Sequence, residues 1–404
     1  MSTNQILDVC SFPGERYPAY NVSGPRGNKC TLVKYAKYRI IVDRSKMISN
    51  RLLLHIYTLS TILQGVIARP WHDTGTGTII FEEAWSIPAL VNQATRNVPI
   101  GTTSAELTAR LLDIHNERLA HMDANGVDYM VISCAQPCIQ GISDPVMADD
   151  MARSVNDQLA AQIANNTLRF GGFAALSMHN ATSAAQELKR AVVELGFLGA
   201  LINDYQQSGP DNETLLFYDQ PEYDVFWEMV VALDVPVYLH PRTNIAQIQN
   251  LLYGHAPWLE AASQEFADTL STHIMGLCTN GVFDRYPNLT VIVGHLGERI
   301  SSDFWRINDQ LARQVPIGMP MLKNLSSYWE SGNVLETTSG NFATELFEFH
   351  VSQFGKRIMY SVDYPFVTME QGAAWLKGLS ETMDIEDLQA LKRELAIEVL
   401  HLNR

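Results

Sequence analysis

The residues best suited to chemistry in this sequence are carboxylates and imidazoles at the ends of short apolar runs. Two runs end in Phe81-Glu82-Glu83-Ala84-Trp85 and Tyr238-Leu239-His240-Pro241-Arg242. Two others end in Gly294-His295-Leu296-Gly297-Glu298 and Ser361-Val362-Asp363-Tyr364-Pro365. A single such residue is often a hydrogen-bonded core histidine or an aspartate in a turn. Four of them at the ends of different strands of one barrel indicate a functional site.

Three of these side chains, Glu82, His240 and Asp363, form a set suited to a metal ion. Two carboxylates supply hard oxygen atoms and one imidazole supplies a borderline nitrogen, a combination that suits zinc, manganese or magnesium. A structural zinc site is usually closed by cysteines, whereas a catalytic site leaves positions open for water or substrate. We therefore expect one divalent metal ion (Zn, Mn or Mg) in a catalytic role.

The elements that would carry these residues alternate between short β-rich runs and longer helical patterns from Thr78 onward. This alternation is typical of βα units around a parallel sheet. It predicts an α/β fold, a (β/α)8 TIM barrel, in which reactive side chains follow the carboxyl ends of the strands. The alternative is an open doubly wound sheet, but no Gly-rich phosphate motif follows the first strand. The predicted strands are 78–82, 129–133, 172–176, 199–202, 235–240, 290–295, 334–338 and 357–362.

The beginning of the chain has a different composition, so residues 1–75 are predicted to be an N-terminal extension and 76–404 the barrel domain. Within the extension, the apolar run 52–68 follows Lys46 and Arg51. It could be an added helix packed on the barrel, a membrane anchor, or a targeting segment if translation began at Met47. We expect a cytoplasmic protein that does not associate with membranes, or a secreted one if this run is a targeting signal.

Composition excludes some partners. The chain carries 44 acidic and 29 basic residues, a formal net charge of −15, and no block rich in lysine and arginine. Nucleic acid is therefore not an expected partner. Five cysteines at irregular spacing predict reduced thiols rather than a disulfide framework, and Cys134 with Cys138 is too small a set for a zinc site.

Seven stretches along the chain carry a resemblance to a known family. They resemble, in order and spacing, the decarboxylases of the amidohydrolase superfamily (ACMSD-related), specifically the 2,3-dihydroxybenzoate and γ-resorcylate decarboxylase branch. The resemblance runs from about Thr78 to the C-terminus. The stretches are 81–88, 133–137, 173–176, 236–241, 295–298 with 305–306, 337–340 and 361–365.

The resemblance implies a role for each matching residue. It makes Glu82, His240 and Asp363 the metal ligands, and His295 with Glu298 a hydrogen-bonded catalytic pair. Arg306 would contact the carboxylate of the substrate, although an arginine at this position could equally be a surface residue of a helix. The resemblance also implies a homodimer or homotetramer.

Two departures from the wider superfamily bear on the reaction. Hydrolytic members resemble one another in a His-x-His pair at the end of the first strand, where this chain has Glu82 and Ala84. Binuclear members take a bridging lysine from the fourth strand, where this chain has Leu201-Ile-Asn-Asp204. Both differences favour a single metal ion.

The predicted reaction is non-oxidative decarboxylation of an ortho-hydroxylated aromatic acid of the dihydroxybenzoate, salicylate or orsellinate type. Chelation of the carboxylate and the neighbouring phenolic oxygen would orient the substrate. Asp363 is expected to protonate the ring carbon, with His295 and Glu298 relaying protons. The alternatives are a metal-dependent hydrolase of a lactone or amide, and a barrel that binds without catalysis.

Overall fold

The computed structural model describes residues 30–35, 38–43, 71, 73–95 and 98–403. The chain divides into two compact units, Met1–Gly65 and Val66–Arg404. In the first unit, strands β1 (Cys30–Tyr35) and β2 (Tyr38–Asp43) pair as an antiparallel hairpin. The apolar run 52–68 lies outside the described residues, and the domain boundary near residue 75 stays a prediction. Among the described residues, no helix is long and apolar enough to cross a membrane.

Among its described residues, the second unit is built on eight parallel strands. One sheet has the order β3-β4-β5 and the other β6-β9-β10-β11-β12, while β7 and β8 form a separate antiparallel hairpin. The described strands of this unit are β3 (Thr78–Trp85), β4 (Val127–Cys134), β5 (Phe170–Gly172), β6 (Ala200–Asn203), β7 (Gln206–Ser208), β8 (Thr214–Leu216), β9 (Val237–His240), β10 (Val291–Val293), β11 (Val334–Thr337) and β12 (Ile358–Met359).

Two contacts join the sheets into a barrel. A parallel bridge pairs Ala174 with Ala200 between β5 and β6. On the other side, the Ala84 amide of β3 donates to the Tyr364 carbonyl just after β12, at 2.7 Å. The predicted (β/α)8 barrel is confirmed, and each of the eight predicted strands overlaps an observed one.

The strands form because their apolar residues alternate between two cores. Tyr129 and Val131 of β4 belong to a cluster inside the barrel, whereas Met130 and Ile132 belong to the layer between strands and helices. Successive side chains of a strand point to opposite faces, so a strand covered on both sides must be apolar throughout. This explains why the strands are near-continuous apolar runs and why the polar residues stand out at their ends.

Nine helices of eight or more residues surround the barrel within the described part of the chain. A capping box begins the first of them: the Thr103 side chain accepts from the Glu106 amide, and the Glu106 carboxylate accepts from the Thr103 amide. The helices are α1 (Ser104–Leu112), α2 (Glu117–Ala124), α3 (Pro145–Ile163), α4 (Ala181–Val193), α5 (Asp224–Leu233), α6 (Glu265–Thr279), α7 (Phe304–Ala312), α8 (Thr344–Phe354) and α9 (Met369–Leu379). Shorter ones are Val91–Ala94, Ala246–Ile248, Val282–Arg285, Ser326–Glu330, Ile385–Gln389 and Leu395–Val399.

The expectation of reduced cysteines is wrong for one pair, because Cys134 and Cys138 form a disulfide. β4 ends at Cys134, and the chain then turns back so that the two Cα atoms lie 5.9 Å apart, within disulfide reach. Spacing along the sequence does not reveal such a turn. Disulfides persist mainly in oxidising compartments, and the cytoplasmic location of the protein stays a prediction. Cys278 is a buried free thiol.

We expect Gly372→Ala to destabilise the fold, because Gly372 of α9 lies against the hydroxyl of Tyr360. Tyr360 is buried in a ring stack with Phe342 and Trp375, so it has little room to move. Overpacking of this kind costs about 1–3 kcal/mol. Gly378 on the same helix has open space around it, so Gly378→Ala is expected to stabilise by up to about 1 kcal/mol. Urea unfolding of both variants tests this, and equal midpoints would contradict it.

Candidate active site

The four predicted strand ends meet at the carboxyl end of the barrel. The Nε2 atoms of His240 and His295 each lie 3.2 Å from Oε1 of Glu82. Oδ2 of Asp363 lies 3.9 Å from Nε2 of His295. Nδ1 of His295 lies 2.6 Å from Oε1 of Glu298. The structure therefore brings all five of these predicted residues together.

Glu82 is the most constrained member of the group. It is buried at 2% exposure, and its Oε2 accepts a hydrogen bond from the Tyr238 hydroxyl. Its Oε1 has no hydrogen-bond donor among the described residues, although it too is buried. A buried carboxylate oxygen without a partner is costly unless a cation or a proton satisfies it. The position between two imidazoles therefore fits a divalent metal ion.

The orientation of His240 also fits the binding of a metal ion. Its Nδ1 lies 2.6 Å from the Pro241 carbonyl oxygen and 3.2 Å from Oδ1 of Asn203. Carbonyl oxygens only accept hydrogen bonds, so Nδ1 carries the proton and Nε2 keeps a free lone pair toward Glu82. A metal-ligating histidine is commonly held by a carbonyl or carboxylate at its other nitrogen. Asn203 at the end of β6 and the chain after His240 supply that support.

A left-handed turn after β10 positions His295 and Glu298. Five consecutive residues, 295–299, have positive φ values between 47° and 69°. The next α-helix, α7, begins only at Phe304. Left-handed backbone costs about 1–2 kcal/mol for each residue other than glycine, so packing around the turn has to hold it.

Buried polar contacts behind the turn supply that support. Ser301 donates to Oε1 of Glu336 at 2.6 Å, and Oε2 of Glu336 pairs with Nδ1 of His350 at 2.9 Å. Asn341 donates to the carbonyl oxygen of His295 at 3.1 Å. Glu336 and His350 are fully buried, and their partners satisfy both of them.

Burial and mutual charge shift the pKa values of the ionisable groups in this site. Burial raises the pKa of Asp363 to about 6. Burial alone would lower the pKa of His295, but the carboxylates of Glu82 and Glu298 outweigh it and raise that pKa well above its usual range. Burial would also raise the pKa of Glu82, but His295 and His240 lower it below its usual value. A cation among these groups would lower the pKa of each of them.

A cavity of about 270 Å³ opens onto these side chains. His295, Glu298 and Asp363 line its polar part together with Arg299 and Asn341. Its apolar wall is formed by residues of the segment after β9 and by one from the segment after β12. These are Ala262, Phe266, Ala267 and Val367. An apolar pocket with a few convergent polar groups is the usual form of a small-molecule site.

Arg306 does not lie with the other predicted residues. It is exposed on α7 and does not line the cavity, where the arginine is Arg299. Its predicted contact with the substrate carboxylate stays a prediction. Sequence reasoning also did not single out Tyr238 or Asn203 as partners of Glu82 and His240. The one available signal was the two-residue spacing of Tyr238 and His240, which places both on the same face of β9.

Comparison with known proteins agrees with this geometry. The family profile described as Amidohydrolase matches residues 90–403. The chain belongs to the amidohydrolase family. γ-Resorcylate decarboxylase of Rhodococcus jostii (strain RHA1) is 40% identical over 308 residues, which cover 75% of this chain and 93% of that protein.

Two further relatives broaden the comparison. Decarboxylase orsB of Emericella nidulans is 34% identical over 282 residues, 68% of this chain and 80% of that protein. The crystal structure of a dihydroxybenzoic acid decarboxylase from Polaromonas sp. JS666, with bound manganese and the inhibitor 2-nitroresorcinol, superposes with a TM-score of 0.76. The two sequences are 36% identical, and the match covers 81% of this chain and 98% of the Polaromonas chain. The predicted family and its decarboxylase branch are confirmed.

We expect Tyr238→Phe to weaken metal binding, because it removes the hydroxyl that holds Oε2 of Glu82. Loss of such a supporting hydrogen bond typically lowers metal affinity by about 10- to 100-fold. Tyr328→Phe is a matched control, since the buried Tyr328 donates to Asp284 at 2.7 Å and neither residue lines the cavity. Titration of each variant with Mn²⁺ measures the effect. Equal affinities in the two variants would show that Tyr238 does not support the ligand.

Proposed function

We propose that this protein is a metal-dependent carboxy-lyase that removes carbon dioxide from an ortho-hydroxylated aromatic acid without oxidation, releasing a phenol. The observation that carries the proposal is the buried Oε1 of Glu82, which faces His240 and His295 and has no donor among the described residues. Relatives named γ-resorcylate decarboxylase and decarboxylase orsB support the reaction class. Acids of the dihydroxybenzoate, salicylate and orsellinate types all carry the required ortho hydroxyl.

Glu82, His240 and Asp363 are the proposed ligands of one divalent ion. Zinc, manganese and magnesium all suit this set, and manganese is present in the related Polaromonas structure. When bound, the ion would supply a positive charge that the substrate carboxylate and the adjacent phenolic oxygen could both coordinate. β6 ends in Asn203, which contacts His240, and not in a lysine that could bridge a second metal. This favours a lyase with one metal ion over a hydrolase with two.

The protein must then deliver a proton to the carboxylate-bearing carbon of the ring. Direct cleavage would leave an unstabilised aryl anion in the plane of the ring, whereas prior protonation avoids it. Asp363 is the proposed donor, and Nε2 of His295 lies 3.9 Å from its Oδ2, where it could replace that proton. Glu298 holds His295 through Nδ1, which orients Nε2 toward Asp363 and Glu82. The ring regains aromaticity as carbon dioxide leaves.

Turnover of a hydroxybenzoate panel in deuterated water tests the reaction. Acids with an ortho hydroxyl, including 2,6-dihydroxybenzoate, salicylate and orsellinate, are the candidates, and 4-hydroxybenzoate is the control. We expect carbon dioxide release and deuterium at the vacated carbon only where an ortho hydroxyl is present, because only those acids can chelate. Mass spectrometry of the phenol reads out the label. Turnover of 4-hydroxybenzoate would contradict chelation.

Site variants assign the roles in the same assay. His240→Ala is expected to lose metal and activity together, and Asp363→Asn to lose activity. His295→Asn is expected to keep metal while kcat falls by about 10²- to 10⁴-fold, the usual contribution of a proton-transferring group. His121→Ala on α2, where His121 pairs with Glu370, is the control. Loss of metal from His295→Asn would instead make His295 a ligand.

We further propose that the protein is a homodimer or homotetramer. Large apolar side chains are exposed on two neighbouring segments after β9 and β10, including Trp258 at 87% and Trp305 at 81%. Arg299 links these segments through Gln264 and the Ser263 carbonyl. Exposed apolar patches of this kind mark interaction sites, and a second copy of the chain is the proposed occupant. The other exposed members are Leu251, Leu252, Leu259, Val315, Ile317 and Leu322.

Sedimentation velocity tests the assembly. We expect the wild type to sediment as a dimer or tetramer, and the double variant Trp258→Glu, Trp305→Glu to shift toward monomer, because buried charges oppose association. Ile385→Glu is the control, since Ile385 is also exposed, at 67%, but lies outside these two segments in the short helix Ile385–Gln389. A monomeric wild type, or a double variant that assembles like the wild type, would contradict this proposal.

A further inference from the structure

Glu83 follows the proposed ligand Glu82 but has a different set of contacts. It is fully buried and forms three hydrogen bonds to the chain after β12. Its Oε1 accepts from the Val362 amide at 3.0 Å and from the Ser361 hydroxyl at 2.9 Å. Its Oε2 accepts from the Tyr364 amide at 2.8 Å. One carboxylate therefore binds the amide groups on both sides of Asp363.

Asp363 is held in an unfavourable backbone conformation. Its φ is +72°, in the left-handed region that is disfavoured for residues with a side chain. Such a conformation persists only where the surroundings determine it. The Tyr364 amide belongs to the peptide group that follows Asp363, and the Val362 amide lies one peptide group before the one that precedes it. Their bonds to Glu83 therefore anchor the chain on both sides of Asp363.

The same network reaches Glu82. The Ser361 hydroxyl, which donates to Glu83, accepts from the amides of Phe81 at 2.9 Å and Glu82 at 2.8 Å. The backbones of Glu82 on β3 and of Asp363 after β12 are therefore joined through Ser361 and Glu83. These two carboxylates come from the two edges where the barrel closes, and small movements between those edges would separate them.

A buried cation accompanies the buried carboxylate. Arg118 has no exposed surface, and its guanidinium carbon lies 4.8 Å from the centre of the Tyr364 ring. Its Nη2 donates to the Ala84 carbonyl at 2.6 Å, one residue beyond Glu83. Arg118 thus contacts both chain segments that Glu83 connects, and its charge offsets part of the cost of burying a carboxylate there.

We propose that Glu83 is a positioning residue of the metal site, which sets the geometry of Asp363 relative to Glu82 by holding both amides around Asp363. The inference rests on the proposed ligand roles of Glu82 and Asp363. Glu83 itself binds neither metal nor substrate in this proposal. Its effect is to place two carboxylate oxygens close enough to share one ion.

The variant Glu83→Gln tests the inference in the full-length protein with Mn²⁺ as the probe. A glutamine can accept through only one of its two terminal atoms, so a donor N–H would face a donor N–H of Val362 or Tyr364. We expect Mn²⁺ affinity to fall by about 10- to 100-fold and the electron paramagnetic resonance spectrum of bound Mn²⁺ to change. At saturating Mn²⁺, kcat is expected to fall with little change in KM, because Asp363 is misplaced for proton delivery.

Glu187→Gln is the matched control for loss of a buried carboxylate. Glu187 is 5% exposed on α4, where Asn156 and Arg190 donate to it, and it does not line the cavity. Its variant is expected to lose stability but to keep the affinity and the spectrum of the wild type. If Glu83→Gln does not fold, Glu83→Asp is the second test variant, because it keeps the carboxylate but shortens the side chain by one methylene. Wild-type affinity and spectrum in either folded Glu83 variant would overturn the inference.

Asp363→Asn separates this inference from the proposed function. If Asp363→Asn weakens Mn²⁺ binding and Glu83→Gln does not, only the positioning role fails. If neither Asp363→Asn nor Glu82→Gln weakens Mn²⁺ binding, the ligand assignment itself is wrong, and the positioning role falls with it.

Discussion

The burial of Glu82 is the constraint on which the rest of the site depends. A carboxylate removed from water needs donors or cations for both oxygens, and among the described residues a hydrogen-bond donor, Tyr238, is present for only one of them. The other oxygen lies between His240 and His295. A buried carboxylate is costly unless a cation lies beside it, and a divalent ion in the space between these side chains would meet that need. Metal binding is in this sense built into the electrostatics of the barrel core.

Two left-handed segments bring the remaining groups to that position. One follows β10 and carries His295 and Glu298, and the other follows β12 and carries Asp363. A regular helix or strand would point these side chains elsewhere, so the backbone has to leave regular structure at the candidate site. Buried carboxylates hold the segments, Glu336 behind the first and Glu83 behind the second. The proposed catalytic groups and the groups that hold them thus lie together at the end of the barrel.

The cavity follows from the same topology. Parallel strands place all their carboxyl ends on one rim, so each connection that follows a strand can contribute a wall residue. The long segment after β9 adds Phe266 and neighbouring alanines, and the turn after β10 adds Arg299. The polar groups therefore face an apolar wall across a space of about 270 Å³. An aromatic acid presents the matching combination, a flat apolar ring with charged oxygens along one edge.

The amino-acid sequence by itself was enough to predict the barrel and its eight strands. It was also enough to single out five candidate site residues, Glu82, His240, His295, Glu298 and Asp363. It could do so because strands covered on both faces must be apolar, which leaves the polar residues at their ends conspicuous. Only the tertiary structure decided that Arg306 lies away from the cavity while Arg299 lines it, and that Cys134 and Cys138 meet in a disulfide. The contacts of Tyr238 with Glu82, of Asn203 with His240 and of Glu83 with the chain after β12 likewise emerged only there. These features depend on turns and on contacts between residues far apart in the chain, such as Glu83 and Tyr364, and local patterns of residue type carry no information about them.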